Sequence, residues 1–382
     1  MKKWIVGWGV VSSCNMNCKF CYSRNKREIE KDVEPKYWYS FIDENAEMID
    51  SINYGTGENS LSNDWWNFVA YVRDSYPNII QSVTTNGYIS EVIRNDEIKK
   101  NIFLRAIDEV DVSLDYAKED EHNNFRGQNK AYTWAMNMLD LCHKNNKRLT
   151  IVSLGSDLVV TKENMTGIFD IANKNGAILR MNIYRPTNGL DDFSKQFLLS
   201  KERLIDFLKW VNDNYDILAL DDALLSAIIL GKKNSDSSGV NSLRILPNGN
   251  ITPSTYLIQD DFIVGNIKDN VDLNKIKELK DNKLNQIVEE VIPKECENCK
   301  YVSMCKGGVI DRRYLWNGSL KEKDPYCFVD DSALMNKVKK INIIEEKFES
   351  VHDGYLPTMF FKSKKKVTTN EKVWCNVNRL CS

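Results

Sequence analysis

An α/β chain is predicted, with a partial parallel (β/α)6 barrel of TIM-like design followed by a small cysteine-bearing domain. Three observations predict it. Short apolar runs alternate six times with longer amphipathic stretches up to about residue 215. A loop carrying three cysteines follows the first apolar run directly. Beyond residue 231 the sequence turns polar and turn-rich, and a second group of cysteines appears.

The strand candidates are Ile5–Val11, Met48–Tyr54, Ile80–Thr84, Glu109–Leu114, Arg148–Leu154 and Ile178–Tyr184. Amphipathic segments such as Asp64–Asp74 and Ala131–His143 lie between them and read as helices. Strand, helix, strand repeated in this way implies parallel strands with right-handed crossovers. In such barrels the functional residues sit at the C-terminal ends of the strands. Helical segments are expected from residue 190 to Gly231, and Lys232–Ser238 reads as a linker. Leu243–Leu246, the turn Pro247-Asn248-Gly249-Asn250 and Ile251 read as a β-hairpin. The expected division is a barrel over 1–215, a cysteine domain over 216–335 and a C-terminal extension over 336–382. The lysine run at 364–366 in that extension reads as solvated surface.

Composition excludes several functions. A net charge of −2 gives no electrostatic case for nucleic acid or an anionic membrane. No apolar run reaches the length of a membrane span. The opening Met1-Lys2-Lys3-Trp4-Ile5-Val6-Gly7-Trp8-Gly9 is too short and glycine-broken for a signal peptide. Ten cysteines in clustered spacings, without such a signal, point to metal ligation in a reducing cytoplasm.

Cys14, Cys18 and Cys21 could hold three irons of a [4Fe–4S] cluster and leave the fourth open for chemistry, where ferredoxin-type runs supply four ligands. A structural zinc site with a distant fourth ligand is the alternative. The spacing C-x3-C-x2-C, with Phe20 before the last cysteine, resembles the signature of the radical SAM superfamily.

Further motifs carry that resemblance. Gly55-Thr56-Gly57-Glu58 ends the second strand and is similar to the family's glycine-glycine-glutamate element, with Thr56 in place of the first glycine. The resemblance implies that Gly57 and Glu58 receive the amino group of S-adenosylmethionine (SAM). Thr84-Thr85-Asn86-Gly87 resembles the element closing the third strand. Ser113-Leu114-Asp115, His122 and Arg126-Gly127 resemble the fourth-strand run of SPASM-type members. Ser113 and Asp115 would then face ribose or substrate, and Arg126 the SAM carboxylate. Phe20 and Tyr22 would border the adenine. His122 reads as structural, Asn164 as the cap of the following helix, and Arg180 as pointing into the barrel mouth or packing at the core edge. Cys142 reads as a buried core thiol.

The second group, Cys296-x2-Cys299-x5-Cys305 and Asp324-Pro325-Tyr326-Cys327, resembles the end of a SPASM domain, which typically carries two auxiliary clusters. The ligand positions of the first auxiliary cluster hold no cysteine: Ser254 and Val309 occupy two, and residues 234–240 contain none. One auxiliary [4Fe–4S] cluster on Cys296, Cys299, Cys305 and Cys327 is therefore expected, with an all-thiolate zinc site as the alternative. Cys375 and Cys381 read as tail thiols, or as ligands of a further cluster or a redox pair.

The resemblance implies that SAM binds the open iron and is cleaved by one electron to a 5′-deoxyadenosyl radical, which takes hydrogen from the substrate. The implied substrate is a ribosomally made peptide or protein, to be crosslinked, epimerised or oxidised. Two other readings stand beside it: a small molecule such as a sugar or antibiotic intermediate, and a non-catalytic iron–sulfur or zinc protein. An external donor such as flavodoxin or ferredoxin would supply the electron.

Overall fold

A computed structural model describes residues 3–24, 31–233, 236, 238–280, 291–344 and 346–363. Six strands form its scaffold: β1 (Trp4–Trp8), β2 (Ile49–Tyr54), β3 (Ile80–Thr85), β4 (Glu109–Ser113), β5 (Arg148–Gly155) and β6 (Ile178–Ile183). Each pairs in parallel with the next. The apolar runs are continuous because helices cover a parallel sheet, so both faces of a strand such as β4 are buried. The helices follow the same logic. Asn63–Ser75 buries Trp65, Phe68, Val69 and Val72 at helical spacing, and the Ser62 hydroxyl accepts from the Trp65 amide at its start.

The expected hairpin is present. β8 (Ser242–Ile245) and β9 (Asn250–Thr252) are antiparallel, with Gly249 at φ 89° between them. β8 also pairs in parallel with β1, and β9 carries β10 (Gly265–Asn266), so the later part of the chain extends the same sheet.

Two strands depart from the sequence reading. Asp216–Leu220 forms β7 where helix was expected, and Met359–Lys362 forms β11, inserted between β6 and β7 and antiparallel to both. Asn164 does not cap its helix. The Thr161 hydroxyl accepts from the Asn164 amide, while the Asn164 side chain donates to the Asp115 and Val159 carbonyls and accepts from the Ala117 amide. Among the described residues, no helix is long and apolar enough to cross a membrane. Cys375, Cys381 and the lysine run at 364–366 lie outside the described residues.

Candidate active site

The C-terminal ends of all six parallel strands converge on one cavity of about 220 Å³. The strand ends and the loops after them supply Cys14, Cys18 and Cys21, then Gly55–Gly57, Thr84–Asn86, Ser113 with Asp115, Val152–Leu154 and Asn182–Arg185. Phe20, Tyr22 and Arg126 complete the set of predicted residues that line it. Arg180 lines it too and is buried, with its guanidinium 3.0 Å from Asp111.

Cys14 and Cys21 lie close enough to Cys18 to act on its thiol. Burial, the largest cause, pushes the Cys18 thiol up to about 11. A bare thiol of that kind is a poor nucleophile, and a metal that replaces its proton relieves the penalty. The donor set of three converging thiols therefore fits an iron–sulfur cluster with one open position. Cys18 Sγ lies 3.5 Å from the Arg126 carbonyl, and the Asn86 side-chain amide donates to Asn15 Oδ1 at 2.8 Å. These contacts tie the cysteine loop to the third and fourth strand ends.

Arg126 is the last residue of the helix Glu119–Arg126, which stops at Gly127 in the left-handed region. Its Nε and Nη2 donate to Asp115 Oδ2 at 2.8 and 2.6 Å, and it lies over the Phe20 ring at 5.3 Å. The second Asp115 oxygen accepts from the Leu154 amide. His122 is fully buried behind this pair, accepts from the Asp115 amide, and is pushed down to about 3 by burial. Cys142 is a buried core thiol.

Of the residues expected to bind SAM, Glu58 alone does not line the cavity. Its carboxylate accepts from Ser60 Oγ at 2.7 Å, Thr85 Oγ1 at 2.9 Å and the Asn86 amide at 3.0 Å. Its own amide donates to the Ser13 carbonyl. Gly57 packs so tightly on the cysteine loop that a Cβ there would stand 2.3 Å from that same carbonyl oxygen. The Gly57-Glu58 pair thus locks the cysteine loop to the Thr85-Asn86 turn.

Other lining residues escaped the sequence reading: Arg185, Arg244, Tyr256, His352 and Tyr355. Arg185 and Arg244 offered a signal, since each adjoins or interrupts an apolar strand run where a charge needs a reason. His352 and Tyr355 arrive on the segment before β11, and no local pattern announces them.

The second cysteine group is also assembled. Cys296, Cys299, Cys305 and Cys327 influence one another electrostatically, and burial pushes the Cys296 thiol up to about 11. Lys306, Gly307 and Gly308 all have positive φ, and a Cβ on Gly308 would stand 2.2 Å from Asp324 Cβ. That turn presses Cys305 against the Asp324–Cys327 loop. Four clustered thiols suit an all-thiolate metal centre. Val309 and Ser254, at two of the positions without cysteine, are buried.

The Glu109, Asp111 and His352 side chains form a further buried group with metal-ligand spacing. It is already occupied by protein: Ser350 and the Val351 amide bond Glu109, and Arg180 pairs with Asp111.

Residues 9–164 match the Radical SAM superfamily. An AdoMet-dependent heme synthase from Methanosarcina barkeri is 22% identical over 354 residues, covering 85% of this chain and 95% of that one. A cysteine-type anaerobic sulfatase-maturating enzyme from Clostridium perfringens is 32% identical over 130 residues, about a third of either chain. Among solved structures, anSMEcpe with bound AdoMet and the Cp18Cys peptide has a TM-score of 0.64 at 18% identity, covering 88% of this chain and 99% of that one. SuiB from Streptococcus suis bound to S-adenosylmethionine has a TM-score of 0.65 at 15% identity, covering 85% and 77%. At such identities the structural matches speak for the fold. Together with the cysteine loop and the six-strand scaffold, the matches make residues 9–164 a radical SAM domain and the protein an enzyme.

Proposed function

We propose that the protein binds a [4Fe–4S] cluster on Cys14, Cys18 and Cys21, cleaves SAM reductively, and uses the 5′-deoxyadenosyl radical to take hydrogen from a peptide or protein. One auxiliary [4Fe–4S] cluster on Cys296, Cys299, Cys305 and Cys327 belongs to the same reading. So does the division into a barrel over 1–215, a cluster module over 216–335 and an extension over 336–382. The observation that carries the reading is the convergence of three thiols, Ser113, Asp115 and Arg126 on one cavity at the strand ends.

The chain's own groups have definable tasks. Asp115 fixes the Arg126 guanidinium from two of its nitrogens, leaving an oriented cation beside Phe20 for the SAM carboxylate. Ser113 and Asp115 lie at the end of β4, within reach of a ribose. Glu58 acts one layer back, holding the loops that carry Cys14 and Asn86. Phe20, Phe125 and Phe197 form an aromatic wall that excludes water from this end.

Support for a peptide comes from the relatives. Both anSMEcpe and SuiB have been captured with peptides. An electron donor of flavodoxin or ferredoxin type completes the cycle.

Anaerobic reconstitution followed by reduction with SAM tests the proposal. About eight irons per chain and formation of 5′-deoxyadenosine are expected. Zinc in place of iron, with no 5′-deoxyadenosine, would sink the reading; near twelve irons would implicate Cys375 and Cys381.

A further inference from the structure

Four arginines line the cavity, and three have a carboxylate partner. Arg126 meets Asp115 at 2.6 Å, Arg180 meets Asp111 at 3.0 Å and Arg185 meets Asp311 at 2.6 Å. Arg244, on β8, is the exception among the described residues. It is 2% exposed, its Nη2 donates to Tyr22 Oη at 3.2 Å and to Thr56 Oγ1, and its Nε has no partner.

Its surroundings are hydroxyls that cannot neutralise it. A tyrosine phenol such as that of Tyr22 is uncharged at neutral pH. Tyr355 and Thr255 share a hydrogen bond of 2.8 Å in the same wall. A buried guanidinium without a counter-charge is costly and persists where a ligand supplies one.

The space for it is built. A Cβ on Gly7 would stand 1.6 Å from Tyr355 Oη and 2.9 Å from Arg244 Nη1, so glycine at that point of β1 admits both groups to the wall. Thr56 holds φ 76°, a strained setting for a β-branched residue, with its hydroxyl turned to Arg244 and Tyr22.

We propose that Arg244 is the anchor for a carboxylate on the substrate, with Tyr22, Thr56 and the Thr255–Tyr355 pair as accompanying hydroxyls. The inference rests on the cavity being the substrate site. One unpaired guanidinium balances one negative charge, which selects a carboxylate over a phosphate monoester dianion. In a peptide it would be an acidic side chain or the C-terminal carboxylate.

Thermal unfolding of the anaerobically reconstituted protein in sodium acetate, against sodium chloride of equal ionic strength, tests this. Acetate at ten times its Kd should raise Tm by about 2 °C, with and without saturating SAM. R244Q should lose the rise, and inorganic phosphate should give less of it. If R244Q does not fold, R244K serves: losing the guanidinium fork, it should need about fivefold more acetate for half the effect. No rise in the wild type, an equal rise in R244Q, or an unchanged acetate requirement in R244K overturns the proposal. A rise that vanishes with SAM assigns Arg244 to the SAM carboxylate and overturns it as well. Acetate titration reads Arg244 whether or not 5′-deoxyadenosine forms, so its failure is distinct from failure of the radical reading.

Discussion

Glu58 shows how a motif residue can act through its neighbours. Three donors from Ser60, Thr85 and Asn86 converge on its buried carboxylate. Glu58→Gln replaces one acceptor oxygen with an amide that can only donate, so a buried donor is left facing another donor. The expected loss is about 1–3 kcal/mol of folding stability, read by urea unfolding. Burial holds the Glu58 carboxyl above its ordinary range. A raised acid binds its proton more tightly in the folded state, so its contribution declines as pH rises through that value. The identity of the motif was legible from Gly57-Glu58 behind a cysteine loop. Where the carboxylate points was not, because Thr85 and Asn86 come from a different strand end. The same limit hid Arg244: a single arginine in Leu243-Arg244-Ile245 has no local partner to reveal it.

At the scale of elements, strands that follow the helix-alternating rhythm could be read from the sequence, and strands recruited from far away could not. β1 to β6 each sit within a few residues of their apolar run. β7 begins two residues after the helix Lys201–Asn214 ends, with no turn signal between them, so its apolar run reads as a continuation of that helix. β11 is a four-residue run beside a lysine cluster, and its place between β6 and β7 depends wholly on tertiary pairing. Phe361 in β11 is fully buried against Phe169 and Phe207. Phe361→Ala should therefore cost about 3–5 kcal/mol, by the cavity it leaves. The turn before β11 carries a pH dependence. Asp221, just after β7, is pushed up to about 8, first by burial and then by the Asp353 carboxylate, and accepts from the Gly354 amide. Its folded pKa lies above its unfolded value near 4. Its contribution is complete below that lower value, falls as pH rises, and is lost once pH passes about 8. Asp221→Asn should stabilise the protein at pH 8.5 and change it little at pH 4.5, as read by chemical denaturation at both.

For the whole molecule, the question is how the second cysteine group is held against the barrel. Arg312 spans the junction. It donates to Asp222, which caps the turn after β7, and to Asp324, which opens the loop ending at Cys327. All three side chains are at most 2% exposed. Asp324 also accepts from the Val309 and Tyr326 amides, so the same carboxylate sets both sides of the cysteine loop. Two carboxylates share one guanidinium, and the network carries a net negative charge. Losing a carboxylate and losing the arginine are then unequal. Asp222→Asn leaves a balanced Arg312–Asp324 pair and an oxygen still able to accept from the Leu224 and Leu225 amides. Its cost should be about 1–3 kcal/mol. Arg312→Met leaves two buried carboxylates facing each other and should cost about 3–5 kcal/mol or more. Because Asp324 positions the Cys327 loop, Arg312→Met should also lower iron from about eight to about four per chain, and Asp222→Asn should keep both clusters. Urea unfolding with parallel iron determination checks the order. Equal losses in the two variants would mean that the network does not join the second cysteine group to the barrel through Arg312.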